Sequence, residues 1–260
     1  MTGEEELYHN RLIAILEDIW GNGFLSPGGP EEVARLVAGT DFDGKAVLDI
    51  GCGAGGIDIA LVANHRAGYV TGIDVEDTVI EHARMRIAEA GLSDRIGLVK
   101  VAPGPLPFPP NTFDIVFSKD SIVHIPDKHA LMREVFRVLR PGGWFVASDW
   151  LIGHDGEPSE AMKLYIAAEG LDFGMASPNR YLDALHKAGF RYAETKSRNE
   201  WYRDVARHEL ERMKGPWRYE AERALGKDFV EHNIEIWSLM VPVLDAGEHC
   251  PTHIRGQKPE

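Results

Sequence analysis

The chain has 260 residues, with 28 Lys+Arg against 41 Asp+Glu, a formal charge of −13 at pH 7. Hydrophobic residues make up 44% and charged residues 27%, the balance of a globular protein able to build a core without disulfides or a structural metal. The acidic excess argues against a nucleic-acid reader, which carries a basic face, so no nucleic-acid partner is expected. Cys52 and Cys250 give no disulfide framework, the N-terminal MTGEEELYHN has no apolar core of a signal peptide, and no apolar run reaches bilayer-spanning length. A reducing, cytoplasmic setting with no membrane span is therefore expected.

In chain order, residues 4–20 place Tyr8, Leu12, Ile15, Leu16 and Ile19 on one helical face. GNGFLSPGGP, residues 21–30, is a loop rich in Gly and Pro, and Pro30 suits the first position of a helix over EEVARLVAG. KAVLDIGCG reads as a buried strand running into a glycine turn, IDIALVANH as a helix, GYVTGID as a strand and DTVIEHARMRIAEAG as a helix. RIGLVKV, TFDIVFS and GGWFVASDWL are three further strands, with the helix DKHALMREVFRVLR before the last of them. Strands alternating with helices predict an α/β fold with a parallel sheet covered on both faces. Residues 158–189 read as two helices, FRYAETKSR as a strand and CPTHIRGQK as a closing strand. Between them residues 201–245 are mostly helical, with Trp237, Met240, Val241 and Leu244 sharing a face. The expected organisation is a single domain over 1–260, with residues 1–29 as an N-terminal lid helix and loop. Residues 200–246 are expected to be a helical cap inserted between the last two strands.

The strongest local feature is VLDIGCGAGG, residues 47–56. Gly51, Gly53 and Gly56 match G-x-G-x-x-G, a turn in which a ligand lies against bare backbone before a helix N-terminus. Asp74 ends the next strand, where a carboxylate can hold ribose hydroxyls or cap the following helix. A dinucleotide and S-adenosylmethionine both suit this turn. Asp49, a carboxylate near the end of an apolar strand, repels a pyrophosphate and attracts an ammonium or sulfonium, which favours the second ligand. It equally suits a buried acid hydrogen-bonded to the turn.

VLDIGCGAGG, TGID, FDIVFSKDSIVHIPD and VLRPGGWFVASDW together resemble the successive motifs of class I S-adenosylmethionine-dependent methyltransferases over about residues 20–155. The resemblance implies a Rossmann-like seven-stranded sheet, parallel but for one strand. It also implies S-adenosylmethionine as cofactor, cradled by Gly51 and Gly53, with Asp74 on the ribose and Val75 beside the adenine. FLSPGG and SKDSIVH are most similar to phosphoethanolamine N-methyltransferases, and more distantly to sarcosine and dimethylglycine N-methyltransferases. That likeness implies a catalytic pair of His124 and Tyr8, Asp120 on the substrate amine, and Leu25 and Ser26 closing over the cofactor. Lys119, expected among the cofactor-binding residues, stands where these relatives carry an arginine. Ala102 and Pro103 stand where they often carry an acid for the adenine amine, so a backbone contact at Ala102 is expected.

Elementary chemistry agrees with those roles. An alkylammonium with a pKa near 10 is about one part in a thousand neutral at pH 7, so a site that methylates it must remove a proton. Asp120 and His124 lie four apart and share a side if residues 121–125 form a helical turn. The phosphate pocket of the phosphoethanolamine enzymes uses tyrosines, an arginine and a lysine. Here Tyr165 retains a tyrosine, Trp150 replaces another, the arginine aligns near Glu169 and the lysine near Leu239 or Met240. Trp150 and Tyr165 are thus expected beside a small-molecule substrate that lacks most cationic partners for a phosphate. The expected reaction is methyl transfer to a small nucleophile, foremost the amine nitrogen of a phosphoethanolamine-type substrate or of another small amine or amino acid. The alternatives are S-methylation of a methionine-like thioether and a cofactor-binding protein without turnover. His249, Cys250 and His253 fit no standard zinc spacing, so no metal is expected.

Overall fold

The computed structural model describes residues 9–171 and 173–260, so Tyr8 lies outside the described residues. Seven strands form one sheet: β1 (Ala46–Ile50), β2 (Tyr69–Asp74), β3 (Ile96–Lys100), β4 (Phe113–Lys119), β5 (Leu139–Ile152), β6 (Tyr192–Ser197) and β7 (His249–Gln257). Their order is β3-β2-β1-β4-β5-β7-β6. The pairs β2–β3, β1–β2, β1–β4 and β4–β5 are parallel, and β7 runs antiparallel to both its neighbours. The winding direction reverses between β1 and β4, which opens a crevice at their carboxyl ends.

The central strands are apolar on both faces because helices cover both. Along β4, Ile115 and Phe117 join Val33, Leu36, Leu61, Val70 and Val146 in one core, while Val116 joins Leu48, Val135, Phe145, Tyr181 and Leu185 in the other. The covering helices are α1 (Asn10–Trp20), α2 (Gly29–Val37), α3 (Gly56–Ala63), α4 (Asp77–Glu89), α5 (Lys128–Val138), α6 (Glu160–Glu169) and α7 (Pro178–Ala188). Four of them start on a side chain that accepts a backbone N–H: His9 for α1, Asp127 for α5, Ser159 for α6 and Ser177 for α7. Helix α2 begins one residue before Pro30, behind Gly28 at φ 89°. β5 starts earlier than the expected GGWFVASDWL, because residues from Leu139 onward already belong to the strand.

The segment between β6 and β7 divides into α8 (Asn199–Lys214), α9 (Trp217–Leu225) and α10 (Lys227–Asp245), broken at Gly215-Pro216 and at Gly226. These helices share a third apolar core with α1 and α6, in which Ile15, Leu16, Tyr165, Tyr202, Trp237 and Met240 are buried. Glu209 of α8 stitches that core together. It accepts from the indole of Trp20 on α1 at 2.7 Å and from that of Trp237 on α10 at 2.9 Å. Among the described residues, no helix is long and apolar enough to cross a membrane.

One buried ion cluster joins α2 to β7 and to the start of the cap. Glu32 receives a bidentate pair from Arg198 at 2.8 Å on each oxygen and a third bond from His253 at 2.8 Å. Burial alone would raise the Glu32 carboxyl, but the bonds from His253 and Arg198 outweigh it and hold the group at about 2. Its contribution to stability is complete above the unfolded value near 4.5 and is lost as pH falls toward 2. Glu32→Gln is expected to cost about 3 kcal/mol in denaturant unfolding, since two cationic partners lose a buried counter-charge. A cost below about 1 kcal/mol would show that these cations find other acceptors.

Candidate active site

The crevice between β1 and β4 widens into a cleft of about 700 Å³. That is the size range of small-molecule and cofactor sites. Its floor is the glycine turn. Gly51 has φ 75°, and a methyl group there would fall 1.6 Å from the Ser121 hydroxyl. Only a bare backbone lets the chain leaving β1 touch the chain leaving β4. Gly53, at φ 53°, faces the Leu25 side chain, which would stand 3.2 Å from a Cβ at that position. Asp74 ends β2 and ties three backbone N–H groups: Gly53 at 3.0 Å on one oxygen, Val75 at 2.7 Å and Glu76 at 3.1 Å on the other. Burial raises the Asp74 carboxyl, and those three bonds oppose the rise. The cleft wall therefore carries a carboxylate and bare backbone suited to hydroxyls, while Val75, Ala102 and Leu106 line it further out.

At the other end the chain turns sharply after β4. Asp120 sits at φ 56°, a left-handed conformation that costs an L-residue energy. Ser148 of β5 holds it there: the Asp120 N–H donates to the Ser148 carbonyl at 2.7 Å, and the Ser148 hydroxyl donates to Asp120 Oδ1 at 2.6 Å. A single turn of 3-10 helix (Ile122–His124) follows, and Asp120 and His124 both line the cleft. His124 Nδ1 lies 2.7 Å from the Leu171 carbonyl. A carbonyl only accepts, so Nδ1 carries the proton and Nε2 carries the basic lone pair of the neutral ring. The ring also packs against Phe173 with centroids 5.5 Å apart.

The cleft brings together Leu25, Ser26, Gly51, Gly53, Asp74, Val75, Ala102, Lys119, Asp120 and His124. Other expected residues lie elsewhere. Asp49 is fully buried, because strand alternation turns it with Val47 toward the α3 face, where it meets Asp58. The expected direct contact between Asp49 and a ligand ammonium gives way to a pair of buried acids behind the turn. Burial pushes Asp49 up to about 7, Asp58 partly offsets this by hydrogen bonding, and the Asp74 charge adds to it. Asp58 is raised further, by burial and then by the Asp49 charge. Trp150 and Tyr165 sit off the cleft wall in the cap core. There Trp150 packs edge-on against Tyr202 at 5.0 Å, and the Tyr165 hydroxyl lies 3.4 Å from His249 Nε2. His249 and His253 face one side of β7 and bond Tyr165 and Glu32, while Cys250 lies beside Ser197 and Thr252. Tyr8, proposed from the sequence as the partner of His124, falls outside the described residues.

Sequence reasoning missed Ser148, Ser121, Asp58, Glu209 and Arg86. Arg86 of α4 bonds Glu17 of α1 at 2.6 Å, and Glu17 accepts from the Gly23 N–H at 3.0 Å, which pins the lid loop to the cleft lip. These pairs are far apart in sequence, and no local pattern announces them.

The model of the methyltransferase domain matches residues 48–147. Residues 48–147 form a methyltransferase domain of the class I fold. A phosphoethanolamine N-methyltransferase of Triticum aestivum is 34% identical over 203 residues, 76% of this chain and 38% of the relative. A sterol 24-C-methyltransferase of Aspergillus fumigatus is 32% identical over 231 residues, 81% of this chain and 61% of the relative. Phosphoethanolamine N-methyltransferase 2 of Haemonchus contortus, solved with phosphomonomethylethanolamine and S-adenosylhomocysteine, superposes at a TM-score of 0.87. It is 25% identical, over 97% of this chain and 59% of that one. The cyclopropane synthase MmaA2 of Mycobacterium tuberculosis shares the fold at a TM-score of 0.79 and 14% identity, covering 96% of this chain and 94% of that one. The chain thus spans about two-fifths of the wheat relative and under two-thirds of the Haemonchus one.

The Asp49–Asp58 pair gives this site a pH signature. Both acids are raised in the folded state, so the native methyltransferase domain keeps protons that the unfolded chain has released. Stability from this pair falls as pH rises from about 4 through 7. Asp58→Asn is expected to raise the unfolding temperature more at pH 8 than at pH 6, flattening the dependence by up to about 1.4 kcal/mol per pH unit. Equal shifts at both pH values would mean that burial does not raise these carboxyl groups in the folded state.

Proposed function

We propose that this domain methylates the nitrogen of a small amine. The cofactor is S-adenosylmethionine, which supplies an electrophilic methyl group on its sulfonium sulfur. The observation that carries the reading is the position of Asp120 and His124 on the wall of the cleft that also holds Gly53 and Asp74. The amine lone pair forms the new N–C bond as the C–S electrons return to sulfur, leaving S-adenosylhomocysteine. An ammonium has no lone pair, so its proton goes first to His124 Nε2, and Asp120 accepts an N–H of the amine to orient it. Asp74 receives ribose hydroxyls, and the Leu25–Ser26 loop covers the site.

The Haemonchus relative is solved with phosphomonomethylethanolamine, so a phosphate-bearing amine is the first substrate to weigh. The cap core beside the site opposes a phosphate. Burial pushes Glu169 up to about 7 against the hydrogen bond from Tyr165. It likewise pushes Glu209 up to about 7, with Trp237, Trp20 and Tyr202 opposing. Tyr202 lies in the field of Glu209, Glu169 and Asp120 together. The nearby arginines face other acids: Arg198 bonds Glu32, Arg207 bonds Asp245, and Arg212 pairs with Asp18 at 3.5 Å. These acids supply no counter-charge to a dianion and repel it once ionised above about pH 7, whereas an amine with an uncharged or cationic tail meets no such penalty.

Labelled S-adenosylmethionine with ethanolamine, phosphoethanolamine, glycine and methionine tests the reading. Transfer to an amine nitrogen is expected, with ethanolamine at least as good as its phosphate. Transfer to the methionine sulfur alone would overturn the amine reading, and a tenfold preference for phosphoethanolamine would overturn the argument from the acids. Asp74→Ala is expected to weaken S-adenosylhomocysteine binding tenfold to a hundredfold in calorimetry, the loss of about 1.5–3 kcal/mol from a charged acceptor. His124→Ala is expected to lower kcat by roughly 10²–10⁴ with that affinity little changed. Wild-type turnover in the His124 variant would remove it from the chemistry.

A further inference from the structure

Lys119 ends β4 with its side chain 1% exposed. Its ammonium has three hydrogens, and three acceptors take them: Ser26 Oγ at 2.7 Å, the Pro27 carbonyl at 3.0 Å and Asp120 Oδ2 at 2.7 Å. A cation so placed gives no N–H to a ligand. It straps the lid loop to the carboxylate that stands over the site.

That arrangement has a chemical consequence if, as proposed above, the acceptor is an amine. A lone buried carboxylate stabilises an ammonium beside it and so raises the acidity barrier to the neutral nucleophile. The same carboxylate paired with a lysine presents almost no net field. It can still accept an N–H through a remaining lone pair and orient the amine. We propose that Lys119 is a positioning residue that sets the protonation state of the substrate: by neutralising Asp120 it lets the amine sit as the free base and not as a tightly held ammonium.

The other groups facing Asp120 leave this role to Lys119. Burial holds His249 of β7 neutral, with a pKa of about 3 despite the Asp120 charge. Tyr202 of α8 is raised well above its ordinary value by burial and by nearby acids, so it stays neutral. Asp149 of β5 is raised to about 7 by burial. Lys128 and Tyr181 pull it down, and the Asp120 charge adds to the rise. His124 follows on the same turn. Asp149 and His124 are present in the wild type and in the Lys119 variants alike, so a difference between them reports on Lys119.

The test uses the full chain with S-adenosylmethionine and ethanolamine, following single-turnover rate against pH for the wild type, Lys119→Met, Lys119→Arg and Ser26→Ala. In Lys119→Met the rising limb, where the amine loses its proton, is expected to move up by about one pH unit, with a rate at pH 7 about tenfold lower and amine binding no weaker. Lys119→Arg is expected to restore the limb. Ser26→Ala keeps the charge and loses a loop bond, so it should weaken S-adenosylhomocysteine binding without moving the limb. The ¹⁵N shift of labelled ethanolamine bound with S-adenosylhomocysteine reads the same effect without turnover, and the neutral polar variant Lys119→Gln takes the place of Lys119→Met if that variant does not fold. An unmoved limb and unmoved ¹⁵N titration would overturn the proposal and leave Lys119 as a loop strap. A wild type that binds S-adenosylhomocysteine but methylates no amine at any pH would overturn the amine reading itself, a separate failure.

Discussion

The site depends on one close approach, the contact between the backbone leaving β1 at Gly51 and the Ser121 side chain leaving β4. A side chain at Gly51 would occupy the place of the Ser121 hydroxyl. Because none is present, the turn carrying Asp120 and His124 folds down onto the glycine cradle. The left-handed backbone of Asp120 belongs to the same constraint, and Ser148 holds it by two hydrogen bonds. The floor of the cleft and the wall that carries Asp120 and His124 are thus one piece of backbone geometry. The reversal of strand order between β1 and β4 is what brings the two chain ends side by side.

A second layer fixes the mouth of the cleft. α1 is tied to the cap through Trp20 and Glu209 and to α4 through Glu17 and Arg86. The loop that follows is tied to β4 through Lys119. The backbone crosses closely here as well: Gly56 donates its N–H to the Gly23 carbonyl at 3.1 Å, and a Cβ on Gly56 would stand 2.6 Å from that carbonyl. The covering segment is therefore held by charged and backbone bonds at its two ends and by apolar packing along its helix. Opening it exposes groups that water can solvate, a mode of motion suited to ligand entry.

What the sequence makes legible follows from range. Alternation of strands and helices, the glycine turn and Asp74 are local patterns, and each lies where its pattern puts it. Asp120 and His124 are four residues apart, and a short turn sufficed to join them. Asp49 shows the limit. Its identity suggested a ligand contact, but its parity with Val47 points it to the α3 face, and its partner Asp58 lies on another element. Trp150 and Tyr165 were placed by resemblance beside the substrate, yet they pack among Tyr202, His249 and Met240. The bonds of Lys119 to Ser26 and Pro27 cross more than ninety residues of sequence. Such contacts are set by how the sheet and lid pack, and a residue's own neighbours carry no trace of them.

The central claim is that this cleft joins a methyl group to an amine nitrogen. ¹³C-methyl S-adenosylmethionine and ¹⁵N-ethanolamine, incubated with the full chain and followed by NMR, test it directly. The account predicts a new methyl signal split by one-bond ¹³C–¹⁵N coupling, appearing together with S-adenosylhomocysteine. A new methyl signal without that coupling, or label that stays on the cofactor across the amine panel, would contradict it.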